Sequence, residues 1–235
     1  MILNYWQCPD LQYAVTKTLQ KFVIETGLDS RAINTENLVI EGHPFFQEGA
    51  KSKTDSLFPR VGVELDKEIP TEDLGMNHSP IQLVTANVKA KLQRILERDS
   101  KESEYEYLDS KRINEFLSSA NYVEKFTGHS SMDLTISGWA VGNAAEKTHY
   151  FIWQAIDSII PFTLHSLSKE YGISITKESS TFNIRNFQFA DNAFGFEIVL
   201  KSRQLKETFR VLDTYQKPLK LDVYFNTGKS EIDLK

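Results

Sequence analysis

The residues able to do acid–base, metal or nucleophilic chemistry are present, but they are scattered. Five histidines stand at His43, His78, His129, His149 and His165. None falls at a spacing that metal sites favour, and the two nearest, His149 and His165, fall on different expected elements. Cys8 is the only cysteine, which rules out an intramolecular disulfide and a cysteine-based zinc site. It precedes an expected helix, whose dipole could lower the thiol pKa; the alternative is an inert, partly buried side chain. Glu64-Leu65-Asp66-Lys67, with Pro9-Asp10, supplies the residue types of a magnesium-dependent nuclease. The acid-x-lysine order is displaced, however, because Glu64 lies three residues before Lys67. No Gly-x-Ser-x-Gly elbow, phosphate-binding Gly-Lys loop or dinucleotide-binding glycine pattern occurs. We therefore expect no enzymatic activity, no cofactor and no metal, and look to binding surfaces instead.

Charge and aromatic residues suggest such surfaces. The chain has 235 residues and a net charge of −5, unfavourable for coating phosphate backbones. The segment from Lys201 to Lys220 nevertheless carries six basic residues (among them Lys201, Arg203 and Lys206) against Glu207 and Asp213. The segment from Glu97 to Glu115, including Glu104 and Glu106, carries seven acids against four bases. Unlike patches on one chain suit contact between copies, although solvated strand edges and loops have the same composition. Phe45 and Phe46, with Trp6 and Phe58, fall around expected turns. There they either cover the core or anchor a partner. The N-terminus shows no basic-then-apolar signal, and the longest apolar stretch, near Tyr150 to Phe162, is too short and polar to span a bilayer. A soluble, cytoplasmically synthesised chain is expected.

Periodicity supplies the elements that would position these groups. Pro9 to Thr26 has the apolar stripe of a buried helix face, with Gly27 as its stop. Asn37 to Glu41 reads as a strand, Gly42-His43-Pro44 as a turn, and Phe58 to Leu65 as a strand that Pro59 confines to an edge or a start. Asp66 to Pro80 reads as a loop, Val84 to Arg98 and Asp109 to Ala120 as helices, and Asp99 to Tyr107 as an exposed loop between them. Ser131 to Val141 alternates as a strand. Asn143 and Glu146 have capping-box spacing before a helix that Pro161 should end. A shorter helix follows from Thr163 to Tyr171. Thr181 to Phe189 and Phe194 to Lys201 read as strands around an Ala190-to-Ala193 turn, while Phe209 to Leu212 and Leu221 to Phe225 could extend the sheet. The expected class is α+β: a mixed, largely antiparallel sheet flanked by helices, in a single domain over 1–235.

In element order, the chain resembles the tail terminator proteins of long-tailed phages and contractile injection systems. The residues carrying the likeness are the opening helix, Phe58-Pro-Arg-Val-Gly-Val-Glu64, and Asp133-Leu-Thr-Ile-Ser-Gly-Trp-Ala-Val141 running into the Asn143 helix. Leu11 to Leu65 and Met132 to Leu205 are covered, and 66–128 departs from the pattern as an insertion. The resemblance implies a homo-oligomeric ring, typically a hexamer. Such a ring would end a tail tube, join it to the neck or connector proteins, and reside in the virion after assembly in the host cytoplasm. The family offers no catalytic residues. Alternatives are another neck, head–tail connector or baseplate adaptor protein and, from a different class, a metal-dependent nuclease acting through Glu64 and Asp66.

Overall fold

The computed structural model describes residues 2–44, 58–70, 77–102, 110–185 and 192–212. The described chain is α+β, as its patterning indicates. Its strands are β1 (Ile2–Trp6), β2 (Val39–Glu41), β3 (Arg60–Pro70), β4 (Asn77–Leu83), β5 (Tyr122–Val141), β6 (Ser174–Arg185) and β7 (Ala193–Leu212). The helices are α1 (Leu11–Val23), α2 (Ala86–Glu102), α3 (Ser110–Ser119) and α4 (Ala145–Tyr171). The strands form one seven-stranded sheet in the order β1-β7-β5-β3-β2, with β4 pairing β5 and β6 pairing β7. The pair β2–β3 is parallel, whereas β3–β5 and β6–β7 are antiparallel.

The chain divides into two compact units. The larger comprises Asn4–His78 and Phe126–Thr208. The smaller comprises Met1–Leu3, Ser79–Lys125 and Phe209–Lys235, and so contains much of the expected insertion. Within the smaller unit, α2 packs against α3, burying Leu92, Ile95 and Leu96 beside Ile113 and Leu117.

In the larger unit, α1 and α4 pack together, and their apolar stripes share one core with the alternate residues of the sheet. Leu11, Ala14, Val15, Leu19 and Val23 supply the α1 stripe. Asp10 begins that helix by accepting a hydrogen bond from the Tyr13 amide at 2.9 Å, and Gly27, at φ 72°, adopts the left-handed turn beyond it. Pro9 thus lies just outside the helix. From β5 come Met132, Leu134 and Ile136; from β7 come Phe196, Ile198 and Leu200. Two crossed contacts bind these strands. A Cβ on Gly138 would lie 2.2 Å from the Phe196 ring, and one on Gly195 would lie 2.6 Å from the Trp139 indole. Each glycine leaves the space that an aromatic ring on the neighbouring strand occupies.

Several boundaries differ from the sequence reading. Residues 66–80 are not wholly a loop, because β3 continues to Pro70 and β4 begins at Asn77. Pro59 immediately precedes β3, which lies inside the sheet between β2 and β5. β5 begins nine residues before Ser131, and the first expected strand near Thr181 begins at Ser174. Hydrogen bonding along the ladder tolerates the polar Ser and Thr residues that blur period-two patterning. α2 extends to Glu102, replacing the first part of the loop placed at 99–107. Its remainder lies outside the described residues, as do Leu221 to Phe225 and the first two residues of the 190–193 turn. Trp6 is not in a turn: it belongs to β1, a strand too short to show a period.

The largest difference is α4, which runs unbroken through Pro161 for 27 residues. Pro161 is exposed, so the Asp157 carbonyl it leaves without an amide is on the solvent side. An interior proline costs about 3 kcal/mol. Continuing the helix past Pro161 buries Leu167, which contributes about 1.5–3 kcal/mol, and packs Leu164 and Tyr171 against the core. Burial wins. The expected capping box also fails, because α4 begins one residue later than Asn143 would require. Ala144 occupies the cap position with no side-chain hydrogen bond, and the Ala145 amide instead donates to the Gly142 carbonyl at 3.0 Å.

Candidate functional site

The groups singled out for chemistry have local structural roles. Asp10 caps α1 and stands apart from any carboxylate cluster. Asp66 is the extra residue of a bulge in β3, between the pairs Leu65↔Leu134 and Lys67↔Asp133, and accepts a hydrogen bond from the Thr135 hydroxyl. Glu64 lies opposite Thr135 on the same ladder. Among the described residues, no three His, Cys, Asp or Glu side chains gather in a metal-binding group. Cys8 is 1% exposed, and its amide donates to the Gln204 side chain at 2.8 Å. Burial, reinforced by the charges of Asp10 and Glu170, pushes its thiol up to about 12. Desolvation works against any lowering of the thiol pKa by the helix dipole.

Of the expected interface residues, Lys201, Arg203 and Lys206 lie on β7. Lys201 is exposed and pairs with Glu178 of β6 at 2.6 Å, a hydrogen bond that raises the lysine pKa. Arg203 is exposed on β7 opposite Ser174. The Lys206 ammonium lies 4.2 Å from the centre of the Trp6 ring, a cation–π contact within the larger unit. Lys201 and Arg203, two residues apart, share one side of β7, with the buried Ser202 and Gln204 on the other. Phe45, Phe46, Glu104 and Glu106 lie outside the described residues.

Two features went unread in the sequence. One is the free edge of β6. This twelve-residue strand pairs with β7 along one side, and among the described residues no strand pairs with its other side. Every residue from Thr176 to Asn183 is exposed. Its Ser- and Thr-rich composition, Glu178-Ser-Ser-Thr-Phe182, gives no apolar alternation by which to recognise it.

The other is a cavity of about 600 Å³ at the start of α4, lined by Asn143, Glu146, His149, Tyr150, Phe182 and Asn183, with Ala144 and Lys147. A bulge in β6 places the last two aromatic and amide groups. Between the pairs Thr181↔Glu197 and Ile184↔Gly195, Phe182 and Asn183 oppose one residue, with Asn183 at φ 64°. His149 is 2% exposed and stacks on Phe182 and Phe194, with centroids 4.8 and 5.5 Å away. Neither imidazole nitrogen has a hydrogen-bond partner. Burial lowers the His149 pKa; the nearby Glu146 and Ala145 carbonyls oppose that shift without meeting hydrogen-bond geometry. A sequence signal existed: Ala145, His149, Ile152 and Ile156 follow one helical stripe, placing a titratable ring at a core position. No protein-family model matches the chain, and no curated protein matches it. No helix among the described residues is long and apolar enough to cross a membrane.

Proposed function

We propose that the protein is a structural assembly subunit that associates head to tail into a ring. Within that class we assign it to the end of a phage-like tail tube, where it joins the tube to the neck in the virion. The observation that carries the assembly reading is the β6 edge. A long strand hydrogen-bonded on one side presents a row of unpaired backbone groups, and a strand from another copy can complete it. A ring requires two unlike surfaces on each subunit, and an edge that accepts a strand supplies one of them. The tail-terminator assignment rests on the element order of the opening helix, the Phe58-to-Glu64 strand and the β5–α4 unit.

Light scattering on the purified chain, followed by negative-stain imaging alone and with tail tubes, tests both levels. A closed ring, or a ring formed only on tube ends, is expected. Ser179→Lys with Thr181→Lys loads the exposed edge with charge and should abolish the ring while leaving the fold intact. A monomer at high concentration that also ignores tail tubes overturns the proposal. Rings unaffected by the two lysines would show that β6 is not the contact. Charge reversal at Arg203 and Lys206, with compensating reversal at Glu104 and Glu106, separately tests whether ion pairs join the copies.

A further inference from the structure

We infer that the cavity at the start of α4 is a binding site for a small aromatic anion, a phosphate or carboxylate carried on a planar ring. The first turn of a helix has amide groups without intrahelical acceptors, and they carry the positive end of its dipole. In α4 the Ala145 amide is used by Gly142, and Ala144 offers no side chain to cap the turn. The amides of Glu146 and Lys147 therefore remain available at a cavity that both residues line. Backbone amides at a helix N-terminus are a recurrent seat for anions.

His149 is the second, independent indication. A buried polar ring usually has a partner, because leaving it without one costs free energy. His149 is 2% exposed, has both nitrogens unpartnered and lines this cavity. Packing on Phe182 and Phe194 holds the imidazole in place, so an anion at the helix terminus would meet a fixed donor. Asn143 and Asn183 add amide groups at the rim. Tyr150 and Phe182 pack edge to face on each other, 5.9 Å apart, and both stay partly exposed, giving the lining an aromatic surface for a planar body to lie on. The volume exceeds what an inorganic ion needs and lies within the range of small-molecule sites.

The charged groups in the lining are Glu146 and Lys147; β6 and β7 bring Phe182, Asn183 and Phe194 against the imidazole, none of them charged. Glu146 opposes an anion, but it is exposed and can turn towards solvent. Burial lowers the His149 pKa, and seating an anion beside the ring opposes that shift, favouring the imidazolium and taking up a proton. Binding should consequently tighten as pH falls.

Titration of the full chain with phenyl phosphate, benzoate and inorganic phosphate, followed through the His149 ring signals by NMR, is the test. At least one aromatic anion should bind roughly tenfold more tightly than inorganic phosphate, the stacked ring supplying the difference. Comparing phenyl phosphate with benzoate identifies the anionic group. Glu146→Gln should tighten binding, and His149→Phe, followed by titration calorimetry because the reporter ring is gone, should abolish it. Ala144→Asp, on the exposed rim, places a carboxylate against the same amides and should abolish binding in a fully folded protein. Absence of any shift in His149 with all three probes overturns the inference. So does binding that Ala144→Asp leaves unchanged, since the anion would then sit elsewhere.

Discussion

Replacing Gly138 by alanine tests the crossed packing between β5 and β7 more sharply than removing a large core residue. The added Cβ would lie 2.2 Å from two atoms of the Phe196 ring, where ordinary contact begins near 3.4 Å. Phe196 is fully buried, so its ring has little room to retreat. Overpacking of this kind costs about 1–3 kcal/mol. Phe196→Ala alone should cost about 3–5 kcal/mol, because it empties a fully enclosed site. The double variant is the decisive measurement: with the ring gone, the alanine methyl meets no obstacle and fills part of the space. Its loss should fall short of the two single losses added together by about 1–3 kcal/mol, within the coupling range for touching residues. Urea unfolding at constant slope gives each value. Strictly additive losses would refute the reasoning, because Gly138 and Phe196 would then not share the space. So would a Gly138→Ala change that costs nothing.

Asp10→Ala removes the α1 cap and should cost about 1 kcal/mol in the same unfolding assay, with no effect beyond that helix. Cys8, with its thiol pushed up to about 12, should resist alkylation at pH 8 in the folded chain and react only on unfolding. His149 has a folded pKa below its unfolded value, so below about 6.5 the unfolded chain binds the extra proton first. Its stabilising effect should therefore be complete above pH 6.5 and decline as pH falls through the folded pKa. His149→Phe should remove that part of the pH slope, as thermal melts across pH 5 to 8 would show.

How much of this was legible depended on which force dominated locally. Leu11 to Val23 and Met132 to Ala140 were readable because burial on one face imposes a period of its own. Pro161 misled for a physical reason: a local preference yielded to Leu167, buried further along, with Leu164 and Tyr171 packed beside the core. The start of α4 was misplaced by one residue because Asn143 and Glu146 have the spacing of a cap but not its backbone. β6 was recognised only in its second half, since an exposed edge strand follows hydrogen bonding rather than apolar alternation. His149 was seen and set aside. A search for pairs of metal ligands passes over a single ring whose interest lies in being buried without a partner.

Pro161 makes α4 depend on the rest of the fold. A segment spanning 145–171, taken alone in water, would have its helical propagation interrupted at that proline, leaving two short stretches. Helices of such length are marginal by themselves. The continuous rod exists because Ile156, Ile159, Ile160 and Leu167 find the sheet on one side. Its unbroken run therefore depends on tertiary packing and not on local propensity, so changes that loosen the core should be felt first in the turn around Pro161.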